Sequence, residues 1–280
     1  MNKIPFQIRL LRAYFNSVGR LIPRHSAKFL IRLFSTPRSR VIRSKEVEVI
    51  ESAQSEQFEF KGEKIKLYQW GEGEKYVLLC HGWESNAGSL GAFVAPLLER
   101  GFRIISYDGP AHGGSEGKEA SLITFTQVAK KIVQHYGKPE IAIGHSLGAN
   151  VIMLLAYEEQ IAIPKCILIS PVNRIRSVFE GFKAIFKIPN AIYAKMIEII
   201  SQRTNYQLDD LLFEKIAQES PLQKVLLLHD EDDKITAVKH SKDIASVWGK
   251  ATFKPIKGSG HYKILWHEST LKNAVDFLDN

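Results

Sequence analysis

From about residue 57 onward the sequence alternates short apolar, β-branched runs with stretches of helical periodicity, and this alternation constrains the fold most. Strand candidates are 57–61 and 65–69, paired as a hairpin, then 76–80, 103–107, 141–143, 166–169, 224–228 and 252–255. Helical patterns fall between them at about 90–100, 121–136, 147–160, 239–248 and 268–278. A strand that is apolar throughout needs cover on both faces, and an intervening helix supplies it. The pattern therefore predicts an α/β fold with a mostly parallel, doubly wound sheet, whose ligands bind beyond the carboxyl ends of the strands.

The alternation fails once. Between Asn173 and Gln223 about fifty residues separate two strands that a minimal crossover would join in far fewer. Val178, Phe182, Ile185 and Phe186 mark one helical face there, and Ile192, Met196, Ile199 and Ile200 another. We read residues 173–223 as a helical cap or lid inserted at the active edge of the sheet, with extra helical packing as the plainer reading. A length of 280 residues suits one large domain carrying such an insertion.

The charge is unevenly distributed. Residues 1–45 contain eleven Lys or Arg and no Asp or Glu, so the whole excess of +8 belongs to this arm and the remainder is mildly acidic. Within the arm Ile4, Ile8, Leu11, Phe15, Val18 and Ile22 recur at helical steps, with Arg9, Arg12, Asn16 and Arg20 elsewhere around the wheel. Pro23 is expected to end this helix and Ser26 to cap a second one, carrying Phe29, Leu30, Leu33 and Phe34 as far as Pro37. A basic amphipathic arm of this kind either lies peripherally on an anionic membrane or docks its apolar stripe on the body of the protein; it also looks like a transit peptide. No reading module for nucleic acid is visible, so no nucleic-acid partner is expected. The 17-residue uncharged run 141–157 is too short and too polar to span a bilayer, and no secretory signal is visible. Cys80 and Cys166 sit in strand-like runs, as packed, reduced thiols would. Together these features point to a cytoplasmic protein, peripheral to a membrane at most.

The chemistry concentrates in Gly144, His145, Ser146, Leu147, Gly148, which reads as strand, sharp turn and helix. Glycine on both sides lets the turn close while the Ser backbone is strained and its hydroxyl raised, and the helix that follows aims N–H groups at developing negative charge. Other signals follow strand candidates: His81, Gly82, Trp83; then Asp108, Gly109, Pro110, Ala111, His112, Gly113, Gly114, Ser115; an acidic turn after His229; and Gly258, Ser259, Gly260, His261. In this order the set resembles the α/β-hydrolase superfamily, specifically its capped serine hydrolases of the esterase, lipase and thioesterase type, over roughly Phe58 to the C-terminus.

That resemblance implies an α/β-hydrolase fold and a catalytic triad of Ser146, Asp233 and His261 in the chain order nucleophile, acid, base. A Ser hydroxyl needs a base within hydrogen-bond reach, and the base needs a carboxylate to hold its tautomer. His81, His112, His145 and His229 are rivals by position but fall where the family uses histidine for packing or loop support. The acid has neighbours of the same charge, because Asp230, Glu231, Asp232 and Asp233 are consecutive. Alignment on His229 and Ile235 selects Asp233, with Asp232 as runner-up, while Asp230 occupies a position where the family has glycine. The backbone N–H groups of Trp83 and Leu147 are the candidate oxyanion donors, with His81, Gly82, Gly144 and Gly148 supporting the two motifs. No zinc-like His and Cys spacing, phosphate-loop Lys or dinucleotide fingerprint is present, so no metal or cofactor is implied. The expected function is a serine hydrolase cleaving a small carboxylic ester or thioester, with an acyl or lipid portion among the candidates, through an acyl-serine intermediate. The alternatives are a non-catalytic hydrolase-like binding protein, and an amide or carbon–carbon hydrolase on the same triad.

Overall fold

The runs that are apolar throughout, at 76–80 and 141–143, become the interior of one sheet, because neither of their faces meets solvent. A computed structural model describes residues 5–280, so the arm positions Lys3 and Ile4 lie outside the described residues. Its strands are β1 (Gln54–Phe60), β2 (Glu63–Trp70), β3 (Tyr76–Cys80), β4 (Arg103–Tyr107), β5 (Ile141–His145), β6 (Lys165–Ile169), β7 (Lys224–Asp230) and β8 (Ala251–Ile256). They form a single sheet in the order β1-β2-β4-β3-β5-β6-β7-β8. β1 and β2 are antiparallel, as β2 is to β4, and every later pairing is parallel. β3 and β5 are wholly buried.

The helices are α1 (Phe6–Asn16), α2 (Val18–Leu21), α3 (Pro23–Ser35), α4 (Ser44–Glu51), α5 (Val94–Leu98), α6 (Leu122–Tyr136), α7 (Leu147–Glu159), α8 (Ile175–Phe186), α9 (Asn190–Thr204), α10 (Phe213–Glu219), α11 (Lys239–Val247), α12 (Gly260–Lys263) and α13 (Glu268–Asp279). Local chemistry sets several ends. Ser121 and Thr124 cap α6 reciprocally, and Gly137 leaves it with a positive φ of 83°.

The chain divides into two compact units: residues 1–36 with 174–212, and residues 37–173 with 213–280. The second contains the sheet. Its core joins Val77, Leu79, Ile104, Ile143, Ile167 and Leu228 to residues of α5 and α13. α4 belongs to this unit as well. Its buried Glu46 accepts hydrogen bonds from the Arg43 N–H (2.8 Å) and the Asn86 side-chain amide (2.8 Å).

The first unit unites two segments about 140 residues apart. Ile8, Leu11 and Phe15 of α1 and Ala27, Leu30 and Ile31 of α3 pack with Phe186, Ile188, Ile192, Met196 and Ile199 from the insertion. Phe34 stacks on Phe182 at 4.3 Å, while Arg12 Nε and Asn16 Nδ2 donate to the carbonyls of Ile185 and Lys187. The structure shows the arm's apolar stripe docked, and the partner is the inserted helices. The unit's limits, 36, 174 and 212, differ from the 45, 173 and 223 read from the sequence, because residues 37–45 belong to the unit that contains the sheet and α10 packs there on α7 and α11.

Two local expectations are corrected. The arm's first helix does not run to Pro23: the backbone breaks at Ser17, and Gly19 lies so close to Tyr14 that a Cβ there would sit 2.8 Å from its carbonyl oxygen. Val18 and Ile22 are therefore exposed instead of continuing the stripe. Ser26 caps nothing; Pro23 is the first residue of α3, where its missing N–H costs no hydrogen bond, and Ser26 donates from inside the helix to the Gly19 carbonyl.

Candidate active site

The parallel pairing Cys80↔Gly144 brings together the chain ends leaving β3 and β5, where β4 and β5 diverge to opposite sides of β3. Such a switch point opens a crevice. β5 turns directly into α7 through Ser146, which adopts φ 51°, ψ −118°, a conformation an L-residue holds only at a cost of about 1–3 kcal/mol. The surroundings leave no alternative path. A Cβ on Gly144 would stand 2.5 Å from the Gly148 carbonyl oxygen, and one on Gly148 would stand 1.9 Å from that of Cys80. The Ser146 N–H is anchored on the Ile169 carbonyl (2.8 Å), and its side chain is left partly exposed above the sheet.

His261 reaches this hydroxyl from the start of α12, just after β8, where Gly258 and Gly260 both take positive φ. Its Nε2 lies 3.1 Å from Ser146 Oγ and its Nδ1 2.7 Å from Asp233 Oδ2. A carboxylate can only accept, so Nδ1 carries the proton and Nε2 is the acceptor facing the Ser146 hydroxyl. Burial pushes the Asp233 carboxyl upward, but hydrogen bonds from His229 and His261 and from the Thr236 backbone outweigh it and hold the group well below the usual carboxylate range. The Ile235 and Thr236 N–H groups donate to its Oδ1 and the Thr236 hydroxyl to its Oδ2. Asp232 is exposed and makes no approach to His261 among the hydrogen bonds of the site.

Asp230 departs from the family's glycine without spoiling the turn. Its buried carboxylate accepts the Asp232 N–H (2.9 Å) and both the N–H (2.7 Å) and hydroxyl (2.6 Å) of Ser259. Burial opposes ionisation, yet these donors lower its pKa. A side chain thus ties the acid turn to the loop carrying His261. This function is absent from the sequence reading, as is that of Thr236; the sole hint was an acidic residue in a glycine position.

The rival histidines hold loops. His81 Nε2 accepts from the Gly109 N–H (2.9 Å) and its Nδ1 donates to the Gly82 carbonyl; burial lowers its pKa to about 4. His112 Nε2 accepts from the Glu84 N–H (3.1 Å) and its Nδ1 donates to the Pro110 carbonyl; burial, then the neighbouring His81, lowers it to about 3. His229, buried beneath Asp233, donates from Nε2 to the Thr236 carbonyl and accepts the Ser241 hydroxyl at Nδ1. His145 donates to the carbonyl of His261 (2.9 Å), and burial keeps it well below its ordinary value.

The two candidate oxyanion donors, the Leu147 and Trp83 N–H groups, belong to peptides at the elbow. Leu147 is the first residue of α7, so its N–H has no acceptor within the helix. A Cβ on Gly82 would lie 3.1 to 3.2 Å from the His145 carbonyl oxygen, His145 Nδ1 and Ser146 Cβ, which puts the Gly82–Trp83 peptide against the elbow. The Trp83 ring is half-buried and meets His112 edge-on at 5.0 Å. Cys80 and Cys166 are buried free thiols, and burial pushes Cys80 up to about 12.

A model of the α/β-hydrolase fold matches residues 75–221, just over half of the chain. Among curated relatives, a monoglyceride lipase homolog of Monkeypox virus is 27% identical over 103 residues, covering 34% of this chain and 37% of that protein. A non-heme haloperoxidase of Rhodococcus erythropolis is 28% identical over 138 residues, covering 44% and 50%. The chain thus spans half or less of the length of these relatives. Among solved structures, the thioesterase domain from the curacin biosynthetic pathway superposes with a TM-score of 0.59 at 16% identity, covering 80% of this chain and 98% of that one.

Proposed function

The chain belongs to the α/β-hydrolase fold family, and from that premise we propose that it is a serine hydrolase cleaving a carboxylic ester or thioester through an acyl-Ser146 intermediate. The observation that carries this reading is the continuous relay from Ser146 Oγ through His261 to Asp233 at a strained elbow. As the Ser146 oxygen attacks the acyl carbon, its proton passes to His261 Nε2, and Asp233 stabilises the imidazolium that forms. The Leu147 and Trp83 N–H groups receive the developing oxyanion, each such donor contributing about 2.7–4 kcal/mol. His261 then protonates the departing alcohol or thiol. In the second half-reaction it takes a proton from water, whose oxygen attacks the acyl carbon, and gives that proton to Ser146 Oγ as the acyl–oxygen bond breaks and the acid is released. The lipase and thioesterase names among the relatives accord with acyl chemistry without selecting the acyl chain.

A fluorophosphonate probe combined with p-nitrophenyl esters and acyl thioesters of increasing chain length tests the proposal. The wild-type protein should label and turn over, and Ser146→Ala should do neither while melting at nearly the same temperature, since a partly exposed hydroxyl adds little to the core. A folded wild-type protein inert to the probe and to every activated ester would return the chain to the binding-protein reading.

A further inference from the structure

α1 is apolar on two opposite sides. Ile8, Leu11 and Phe15 face the core of the first unit, whereas Phe6 and Leu10, on the far side of the same helix, are 69% and 54% exposed. The corner joining α1 to α3 continues this exposure: Val18, Ile22 and, at 81%, Leu21. Eight of the fifteen large apolar side chains exposed among the described residues belong to this unit, which is about a quarter of them. Isolated exposed leucines need no explanation, but such a concentration does.

The charge is concentrated in the same place. Residues 1–36 with 174–212 hold thirteen Lys or Arg against four Asp or Glu, a net of +9, whereas the rest of the chain holds twenty-five against twenty-six. Arg9 borders the Phe6 and Leu10 row, Arg20 lies in the corner, and Lys28 stands on the open side of α3 beside the partly exposed Phe29; all three cations are exposed.

We propose that this face of the arm, Phe6, Leu10, Val18 and Leu21 with Arg9, Arg20 and Lys28, seats on an anionic lipid surface. Aliphatic side chains this exposed gain by entering the acyl boundary, while the flanking cations meet lipid phosphates and carboxylates. A phosphate backbone alone offers leucine and valine nothing, and a unit of charge +9 repels a second copy of itself. The inference does not depend on the chemistry at Ser146. It differs from a free amphipathic arm, because the opposite side of α1 is already occupied by the unit's core.

Deleting the arm would strip that core, so the test uses full-length protein with surface substitutions. Wild-type protein should co-sediment with phosphatidylcholine vesicles containing phosphatidylserine, bind pure phosphatidylcholine at least tenfold more weakly, and lose affinity as salt rises. Leu10→Ser with Leu21→Ser should lower the partition at least tenfold. Arg9→Gln, Arg20→Gln and Lys28→Gln together should lower it by about fivefold per charge while leaving the melting temperature unchanged. The charge set stands as the independent arm of the test if the serine pair unfolds the unit. Equal partition of wild type into both vesicle types, binding by the charge variant equal to wild type, or retention by DNA or self-association in place of vesicle binding would each overturn the proposal.

Discussion

At the scale of single residues, the acid turn shows how chemistry separates neighbours that composition cannot. Asp230, Asp232 and Asp233 lie within four positions, yet one ties two loops, one is solvated and one contacts His261. Replacing Asp233 with Asn keeps the shape but removes the acceptor that holds His261 with its Nδ1 protonated. Asp233→Asn should therefore lower kcat by up to about 10⁴ with little change in KM. Asp232→Asn alters only a screened surface charge and should cost less than about tenfold. Steady-state kinetics on one activated ester, with the melting temperature as a control, check both; a large loss at Asp232 alone would transfer the role of acid to it.

At the scale of elements, the loops after β3 and β4 are joined by neutral imidazoles. His81 bridges Gly82 and Gly109, and His112 bridges Pro110 and Glu84, so each ring serves as one donor and one acceptor. A protonated ring would lose its acceptor. Their folded pKa values, about 4 and about 3, lie below the ordinary value near 6.5 that the unfolded chain shows. The unfolded state therefore binds protons first as pH falls. The stabilisation is complete above about pH 6.5 and declines by about 1.4 kcal/mol per pH unit for each ring until the folded pKa is reached. Urea midpoints should accordingly fall between pH 6.5 and 4.5, and His112→Gln, which keeps an acceptor but cannot titrate, should have a shallower slope by about one group. An unchanged slope would mean that His112 takes up its proton equally in both states.

At the scale of the whole molecule, the arm and the insertion stabilise one another. Phe15 is fully buried among Ala27, Leu30, Ile192 and Met196. Phe15→Ala should cost that unit about 3–5 kcal/mol and increase proteolysis within residues 5–36 and 174–212. Fluorophosphonate labelling of Ser146, which belongs to the other unit, should persist. Uniform proteolysis of the whole chain would show instead that the two units unfold as one. No helix among the described residues is long and apolar enough to cross a membrane.

The sequence by itself determined the sheet and the elbow, because both are written in short local signals, whereas the chain order of the candidate triad is what the family resemblance implies. β5 follows from a short run that is apolar throughout, the glycines at 144 and 148 from a turn that admits no Cβ, and His261 from its place just after the last strand beside Gly258 and Gly260. What only the tertiary structure decided depends on partners distant in the chain. Asp230 closes on Ser259, twenty-nine residues later, and the stripe of α1 is buried by helices about 170 residues away. An amphipathic pattern specifies that a face must be covered but not by what, and α1 proved to have two such faces. One was claimed by α3 and the insertion, and the other stays open to solvent.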